Sequence, residues 1–444
     1  MERGTFSYVR GWKQEFESRG WWHSFDLPGG RRIDGVCSVE GLRRRIEQYP
    51  VPEDLRGARV LDIGAWDGWY TFEMERRGAD VVAVDCWDNP RFHQIQTALK
   101  SRAEYRQMDV YDLTPATVGR FDIVLFMGVL YHLKHPLLAL ERVCAITKDL
   151  AVVDSFILRE EHRPGENVEN RPVMEFYENE EFGGQTDNWC GPSLPCLMAM
   201  CRTAGFARVE HRATLPNGAC IACFRNWACP VPAASVAEIS KPPDLLDAVH
   251  HTNFGLNFDS RCDEYVVASF RSSTPGLTAE QVKPQVGDYG VRPIHVSRSG
   301  DNIWRAKFKL PPGLESGWHD VSVRVGAGVS NSKAIAVDVP VAVSALHISG
   351  LSDGASWEPG ILNLSRGSVL SAWVEGLPGN ADRANLRAML GGEMVAVNFV
   401  SPADSGGPRQ VNIAVPDEIP AGDFELHMVM GSVHSPPAGV RIVR

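Results

Sequence analysis

Nowhere in the 444 residues is there a run approaching the ~18–20 consecutive apolar residues that a membrane-spanning helix needs. The opening "MERGTFSYVRGWKQEFESRGWWHSF" lacks a basic stretch followed by an apolar core, so a secretory signal is not expected and the reading is of a cytoplasmic protein. Excess positive charge is missing as well. Before residue 231 there are 28 Lys+Arg against 33 Asp+Glu, after it 17 against 22, within a formal net charge of −10. Neither half carries the basic surface of a nucleic-acid binder, so such a partner is disfavoured. Disulfide-type cysteine spacing is absent too: nine of ten cysteines are scattered before residue 230 and only Cys262 follows, the distribution of buried thiols in a reducing compartment. Cys220 and Cys223 in "NGACIACFR" fall in a run that reads as a strand. Residues three apart on a strand point to opposite faces, so this C-x-x-C cannot share a metal and no metal site is expected.

What is present divides the chain near residue 230. The length is too great for one ordinary core. Up to about residue 228, short apolar runs alternate with amphipathic stretches, the pattern of an α/β protein. Seven strands are predicted, in "ARVLDIG", "DVVAVD", "AEYRQMDV", "FDIVLFMG", "LAVVDSF", "ARVEHRAT" and "ACIACFR". Helices are predicted in "YTFEMERRG", closed by Gly78, and in "PLLALERVCAITK". After "NWACPVPAASVAEISKPPD", Pro and Gly rise and short alternating runs take over. The stretches "GWHDVSVRVGAGVSNSKAIAVDV" and "GDFELHMVMGSVHSPPAGVRIV" share a layout, which predicts two immunoglobulin-like β-sandwiches at 240–343 and 344–444. On this reading residues 1–230 hold the whole ligand site and fold without the rest, while the sandwiches serve binding, packing or assembly into a homo-oligomer.

The ligand site is expected in "VLDIGAWDGWYTFEMERRGADVVAVD", Val60 to Asp85. The loop after Asp62 lies at the carboxyl edge of the sheet, where open α/β sheets bind ligands. Gly64 and Gly68 allow a tight turn, but Trp66 stands where such turns usually have glycine, and a full G-x-G-x-x-G for a pyrophosphate cannot be placed. A ligand without phosphates fits better. In S-adenosylmethionine (SAM) methyltransferases this loop receives an amino-acid moiety whose ammonium faces an acidic residue at the strand end, the position of Asp62. Asp85 is placed to hold a ribose diol, and Asp109 to meet an adenine amino group or simply to cap a turn. Three carboxylates at three strand ends are costly unless they have partners.

Together with "FDIVLFMGVLYHLKHPLLALE" and "WWHSFDLPGGRRIDG", this stretch resembles the methyltransferase family that includes the tRNA wobble-uridine carboxymethyltransferases, over about residues 15–228. The resemblance implies a Rossmann-like domain with a seven-stranded, mostly parallel sheet and SAM as cofactor. It makes Trp66 a subfamily habit. It implies cofactor contacts from Asp62, Gly64, Ala65, Trp66, Asp67 and Gly68, from Asp85 and Cys86, from Asp109 and Val110, and from Met127, Gly128 and Tyr131. The tRNA enzymes grip the extra carboxylate of a carboxylated SAM with a lysine, an arginine and a tyrosine. Tyr131 stands in for the last, but the stretches "DLPGGRRIDG" and "LPNGACIACFR" offer no clear counterpart of the other two beyond Arg31 and Arg32, which implies ordinary SAM.

Methyl transfer is an in-line displacement in which alignment supplies much of the rate, and only the acceptor needs a base to take its proton. His132 in "GVLYHL" is a candidate base, or a cap for the helix starting at Pro136. The segment from 171 to 201 reads as a substrate-binding insertion, with ten Asp+Glu and three Lys+Arg between residues 151 and 200. It offers Glu175 and Tyr177 as catalytic candidates and Asn188 and Trp189 as substrate contacts, or else a solvated acidic loop. His23, beside Trp21 and Trp22, is a candidate substrate contact on an N-terminal lid, or else a simple aromatic anchor. The function expected is SAM-dependent methyl transfer to an O or N atom of a small-molecule, glycan or peptide acceptor. The alternatives are wobble-uridine-like RNA modification and a non-catalytic SAM-binding scaffold.

Overall fold

The computed structural model describes residues 15–227, 242–340 and 346–444, apart from 183, 217, 253–254, 379–380, 384–385, 403–406 and 431–432. Most of the expected linker after residue 227 and the boundary near Val343 lie outside the described residues. Two compact units emerge. The first comprises residues 1–233 with two short pieces, 288–292 and 311–313; the second comprises the remainder.

After a helical stretch at 15–19, the first unit has a hairpin, β1 (Phe25–Leu27) and β2 (Arg31–Ile33), and a helix, Val39–Ile46. Its sheet contains β3 (Arg59–Ile63), β4 (Asp80–Asp85), β5 (Glu104–Gln107), β6 (Phe121–Met127) and β7 (Thr147–Phe156). A small hairpin follows, β8 (Met174–Phe176) and β9 (Cys190–Pro192), and the sheet ends with β10 (Arg208–Leu215) and β11 (Gly218–Phe224). The sheet order is β10-β11-β7-β6-β3-β4-β5. Strands β3 to β7 are parallel, and β11 runs antiparallel to both β7 and β10. All seven predicted strands are present.

Alternate side chains of the strands feed two cores, one on each face of the sheet. Val60 and Ala83 pack with Phe72, Phe92 and Ile95 on one side. On the other, Leu61, Val82 and Val84 pack with Leu140, Val143 and Leu197. Cys220 belongs to the first core and Cys223 to the second, so the two thiols do lie on opposite faces. The helices begin where the sequence supplies caps: Asn89 accepts from Arg91 N before helix Pro90–Leu99, and Ser193 accepts from Cys196 N before helix Leu194–Thr203. Helix Trp69–Arg76 has no side-chain cap at its start and ends before Gly78, whose φ of +99° closes it in the left-handed region. From β3 the chain adds β4 and β5 on one side, then returns to add β6 and β7 on the other. That reversal opens a crevice at the carboxyl ends of β3 and β6.

The second unit is almost wholly β. Residues 244–337 form two sheets; one has the strands Asp244–His250, Tyr265–Arg271, Ile303–Lys309 and Pro293–Gly300 in that order, and the other is built around Val282–Val286, Gly317–Val325 and Lys333–Val337. Residues 347–443 differ from the expected pair of separate sheets. Strand Glu393–Val400 pairs at its start with Arg387–Leu390 and at its end with Arg409–Ala414, so one continuous sheet wraps a single core. An irregularity between Val397 and Phe399 marks the bend. Among the described residues, no helix is long and apolar enough to cross a membrane.

Candidate functional site at the switch of the parallel sheet

The loop leaving β3 fills the crevice. Gly64 has φ +73° and a side chain there would collide with Val129, which follows β6; Gly68 has φ +92° and is closed in by Phe72 and Phe92. Trp66 adopts φ +53°, so the indole-bearing residue takes the left-handed conformation that glycine would take with less strain. What holds it there is Asp85. The Trp66 main-chain N–H donates to Asp85 Oδ2 at 3.0 Å, and Trp87 N–H to Asp85 Oδ1 at 3.2 Å. The Trp66 ring lies 6.1 Å from Phe16 and 5.7 Å from Trp87, and its buried Nε1 has no hydrogen-bond partner among the described residues.

Asp62 at the end of β3 is buried and accepts from Thr71 Oγ1 at 2.6 Å. Burial pushes its carboxyl up to about 6; the Thr71 hydrogen bond and His23 pull the other way, and Asp85 adds to the rise. A buried carboxyl held by Thr71 and without a salt bridge among the described residues is a place for a cation. Asp109 is exposed and accepts from Tyr111 N at 2.9 Å, which is the turn-capping role. Val110 is buried under it, and Cys86 is exposed beyond Asp85. At the end of β6, Met127 is half-buried, and Gly128 (φ +73°) donates its N–H to the Asp154 carbonyl at 2.8 Å. Tyr131 is pushed up to about 12 by burial, with the Asp154 carboxylate adding and Arg45 opposing.

The fold is that of a Rossmann-like methyltransferase domain. Residues 38–164 match the family model described as a methyltransferase domain. The chain is 30% identical over 164 residues to a tRNA U34 carboxymethyltransferase of Pseudomonas fluorescens (strain SBW25), covering 35% of this chain and 48% of that one. It is 34% identical over 167 residues to the same-named protein of Pseudomonas syringae pv. tomato (strain ATCC BAA-871 / DC3000), with the same coverage. A ubiquinone biosynthesis O-methyltransferase of Xanthomonas oryzae pv. oryzae (strain PXO99A) is 35% identical over 105 residues, 23% of this chain and 43% of that one. The chain thus spans about half the length of the curated relatives it matches. Among solved structures, the N-terminal domain of EvdMO1 in the presence of SAH and D-fucose aligns with 22% identity and a TM-score of 0.35, covering 50% of this chain and 97% of that one.

Several candidate residues of the methyltransferase domain are engaged otherwise than expected. Asp67 does not face the crevice as a free carboxylate. It is fully buried, accepts Trp22 N–H at 3.1 Å and His23 N–H at 2.9 Å, and pairs with His23 Nδ1. His23 is thus buried against Asp67, which ties the N-terminal segment to the loop, as the anchor alternative expects. Glu175 forms a two-point ion pair with Arg163, at 2.5 and 2.9 Å, and accepts from Tyr177 OH at 3.1 Å. Tyr177 is buried with Phe156 and Phe182, and burial beside Glu175 keeps its hydroxyl protonated. Both side chains are thus engaged within the insertion. Asn188 is buried and donates to the Phe182 carbonyl and Gln185 Oε1, holding a turn; only its Oδ1 lacks a partner among the described residues. Trp189 packs near Phe176 under the Lys134 ammonium, 4.2 Å from its ring. His132 does not cap the helix at Pro136, whose N-cap is His135. Its Nδ1 lies 3.1 Å from the Asp187 carbonyl oxygen. A carbonyl only accepts, so in the neutral ring Nδ1 carries the proton and Nε2 keeps its lone pair.

A cluster that sequence reasoning missed lies at the same edge. Arg45, on helix Val39–Ile46, donates to buried Asp154 of β7 through Nη2 (2.6 Å) and Nε (3.1 Å), and Tyr49 OH joins both. Tyr70 bridges this group to the loop, 6.4 Å from the Tyr49 ring and 5.8 Å from the His23 ring. Arg45 is half-buried, and Asp154 and Tyr49 fix its orientation. The signal was there: Asp154 is the one charged residue in "LAVVDSF", and Arg45 and Tyr49 stand one helical turn apart. Arg31 and Arg32, by contrast, are exposed on β2, and Arg32 is occupied by Asp26, Asp34 and Glu40.

Proposed function

We propose that this chain is a SAM-dependent methyltransferase acting on an O or N atom of a small-molecule, glycan or peptide acceptor. The observation that carries the reading is Asp62, a buried carboxyl at the end of β3, beside the left-handed Trp66 loop that Asp85 holds. Asp62 suits the ammonium of SAM and Asp85 its ribose hydroxyls, since the Asp85 carboxylate, which meets two main-chain N–H groups and the Cys86 thiol, still has accepting capacity. Trp66 Nε1, without a partner among the described residues, offers one more donor. Bound SAM supplies an electrophilic methyl group; the protein's part is to align the acceptor, exclude water and take a proton. His132 Nε2 is the group suited to accept the proton of an acceptor hydroxyl or ammonium. Arg45, fixed by Asp154, would orient the acceptor from the β7 side.

Calorimetry tests the assignment. Asp85→Ala should weaken SAM by about 2–4 kcal/mol, because hydrogen bonds to a charged partner are worth ~1.5–3 kcal/mol each. Unchanged affinity would sink it. A second reading, wobble-uridine modification with carboxylated SAM, is favoured by the tRNA U34 relatives and opposed by the net charge of −10. Competition between SAM and its carboxylated derivative separates the two. Preference for SAM is expected, and a clear preference for the carboxylated form would favour the second reading.

A further inference from the structure

We propose that the C-terminal β module carries a binding platform for a neutral saccharide, formed by Trp357, Trp373, Gln410 and Asn412. The inference stands apart from methyl transfer.

Trp357 is 56% exposed and has φ +63°, a backbone conformation disfavoured for a bulky residue and retained mainly where the surroundings enforce it. Here they do. Buried Asp353 accepts Ala355 N–H at 2.8 Å, Ser356 N–H at 2.7 Å and Asn363 N–H at 2.8 Å, and its own carbonyl accepts Trp357 N–H at 2.9 Å. The loop is thus clamped at four points, yet the side chain it presents points largely into solvent. Trp373, on the strand Val369–Glu375, lies 6.0 Å away at 45°, so the two indoles form a shallow V. On one neighbouring strand Trp373 is paired with Gly350, which has no side chain to cover the ring.

On its other side Trp373 is paired with Gln410, and Ser371 with Asn412. Asn412 Oδ1 accepts from Ser371 Oγ at 3.1 Å and from Gln410 Nε2 at 3.0 Å. That leaves Asn412 Nδ2 as a donor and Gln410 Oε1 as an acceptor without partners among the described residues, held in fixed orientation beside the indoles. Phe399, 43% exposed and paired with Asn412, closes the far end. The side chains between Trp373 and Phe399 are polar and uncharged. An apolar C–H face of a sugar ring stacks on the electron-rich face of an indole, while neighbouring ring hydroxyls need a donor and an acceptor side by side. An aliphatic or charged partner would have no use for the amide pair.

The test uses the full chain in native gels cast with soluble neutral polysaccharides: mixed-linkage β-glucan, xylan, galactomannan and dextran. Retardation by at least one is expected, with apparent affinity falling at least tenfold in Trp357→Gly, in Trp373→Ala and in the double variant Gln410→Ala, Asn412→Ala. Trp357→Gly should keep or raise Tm, since glycine adopts positive φ freely; its loss of binding would then not be a loss of fold. The proposal is overturned if none of the four polymers retards the protein, or if retardation survives these substitutions. It is equally overturned if sedimentation shows self-association that Trp357→Gly abolishes without any polysaccharide effect, which would make this face a contact between copies.

Discussion

Asp62 concentrates the electrostatics of the crevice in a single side chain. Its carboxyl titrates near 6 in the ligand-free fold, above the ~3.9 of an unstructured chain, because burial disfavours the charge. The sign for ligand binding follows. Only the carboxylate pairs with an ammonium, so binding of SAM draws the proton off and is weakened as pH falls through 6. Between pH 7.5 and pH 5, affinity should drop roughly tenfold, with about one proton released per SAM bound near pH 5. Titration calorimetry in two buffers of different ionisation heat measures both quantities. A flat profile across this range would remove Asp62 from the ammonium role, and Asp62→Asn should flatten it by design. His132 belongs to the same scale. With Nδ1 committed to the Asp187 carbonyl, His132→Gln should lower kcat by about 10²–10³-fold while leaving the SAM Kd within about twofold. Equal loss in both would mean that the residue holds the insertion in place rather than accepting a proton.

The elements around the site were read from sequence with uneven success, and the unevenness has physical causes. The five inner strands were visible because a sheet covered on both faces needs near-continuous apolar runs there, and Asp62 and Asp85 stood out as charges at the ends of such runs. That Trp66 stands at a usual glycine position was legible, but what holds a tryptophan in the left-handed conformation there was not, since Asp85 lies nineteen residues on. Arg45 and Asp154 are 109 residues apart, and Asp67 and His23 are 44 apart. Pairings of that span are fixed by topology and leave no periodic trace. Glu175, in an acidic run, read as available, and its ion-pair partner Arg163, twelve residues earlier, left no local mark. The Asp67 contacts make the N-terminal segment an element whose attachment can be tested. Asp67→Ala removes the acceptor of two main-chain N–H groups and of the His23 ring. Hydrogen exchange in peptides spanning residues 20–37 should accelerate by an amount equivalent to about 2–4 kcal/mol, with a smaller effect on the core strands. Unchanged exchange there would show that aromatic packing alone holds the segment.

At the scale of the molecule, the boundary near residue 230 is less clean than the change of sequence pattern suggests. The first compact unit takes in residues 288–292 and 311–313, and the contacts are specific ones. Arg225 is fully buried; its Nη2 donates to the Pro312 carbonyl at 2.7 Å, its Nη1 approaches Cys144 Sγ at 2.8 Å, and its guanidinium lies 3.8 Å from the centre of the Tyr289 ring. Gly290 N–H donates to the Arg225 carbonyl at 2.8 Å, and Gly313 sits so close to Ala145 that a side chain there would collide with its carbonyl. A chain ending after residue 230 keeps every residue assigned to SAM but loses the Pro312 and Tyr289 partners of a buried cation. Stripping partners from a buried charge is among the more costly single changes, about 3–5 kcal/mol where the charge stays buried. The truncated chain is therefore expected to melt well below the full one and to aggregate on heating. Arg225→Met in that shortened chain should recover part of the loss, because it removes the orphaned charge. Soluble truncated protein with the Tm of the full chain would show that these two short pieces add nothing to the methyltransferase domain. Soluble protein that had lost SAM binding would show instead that residues beyond 230 complete the site.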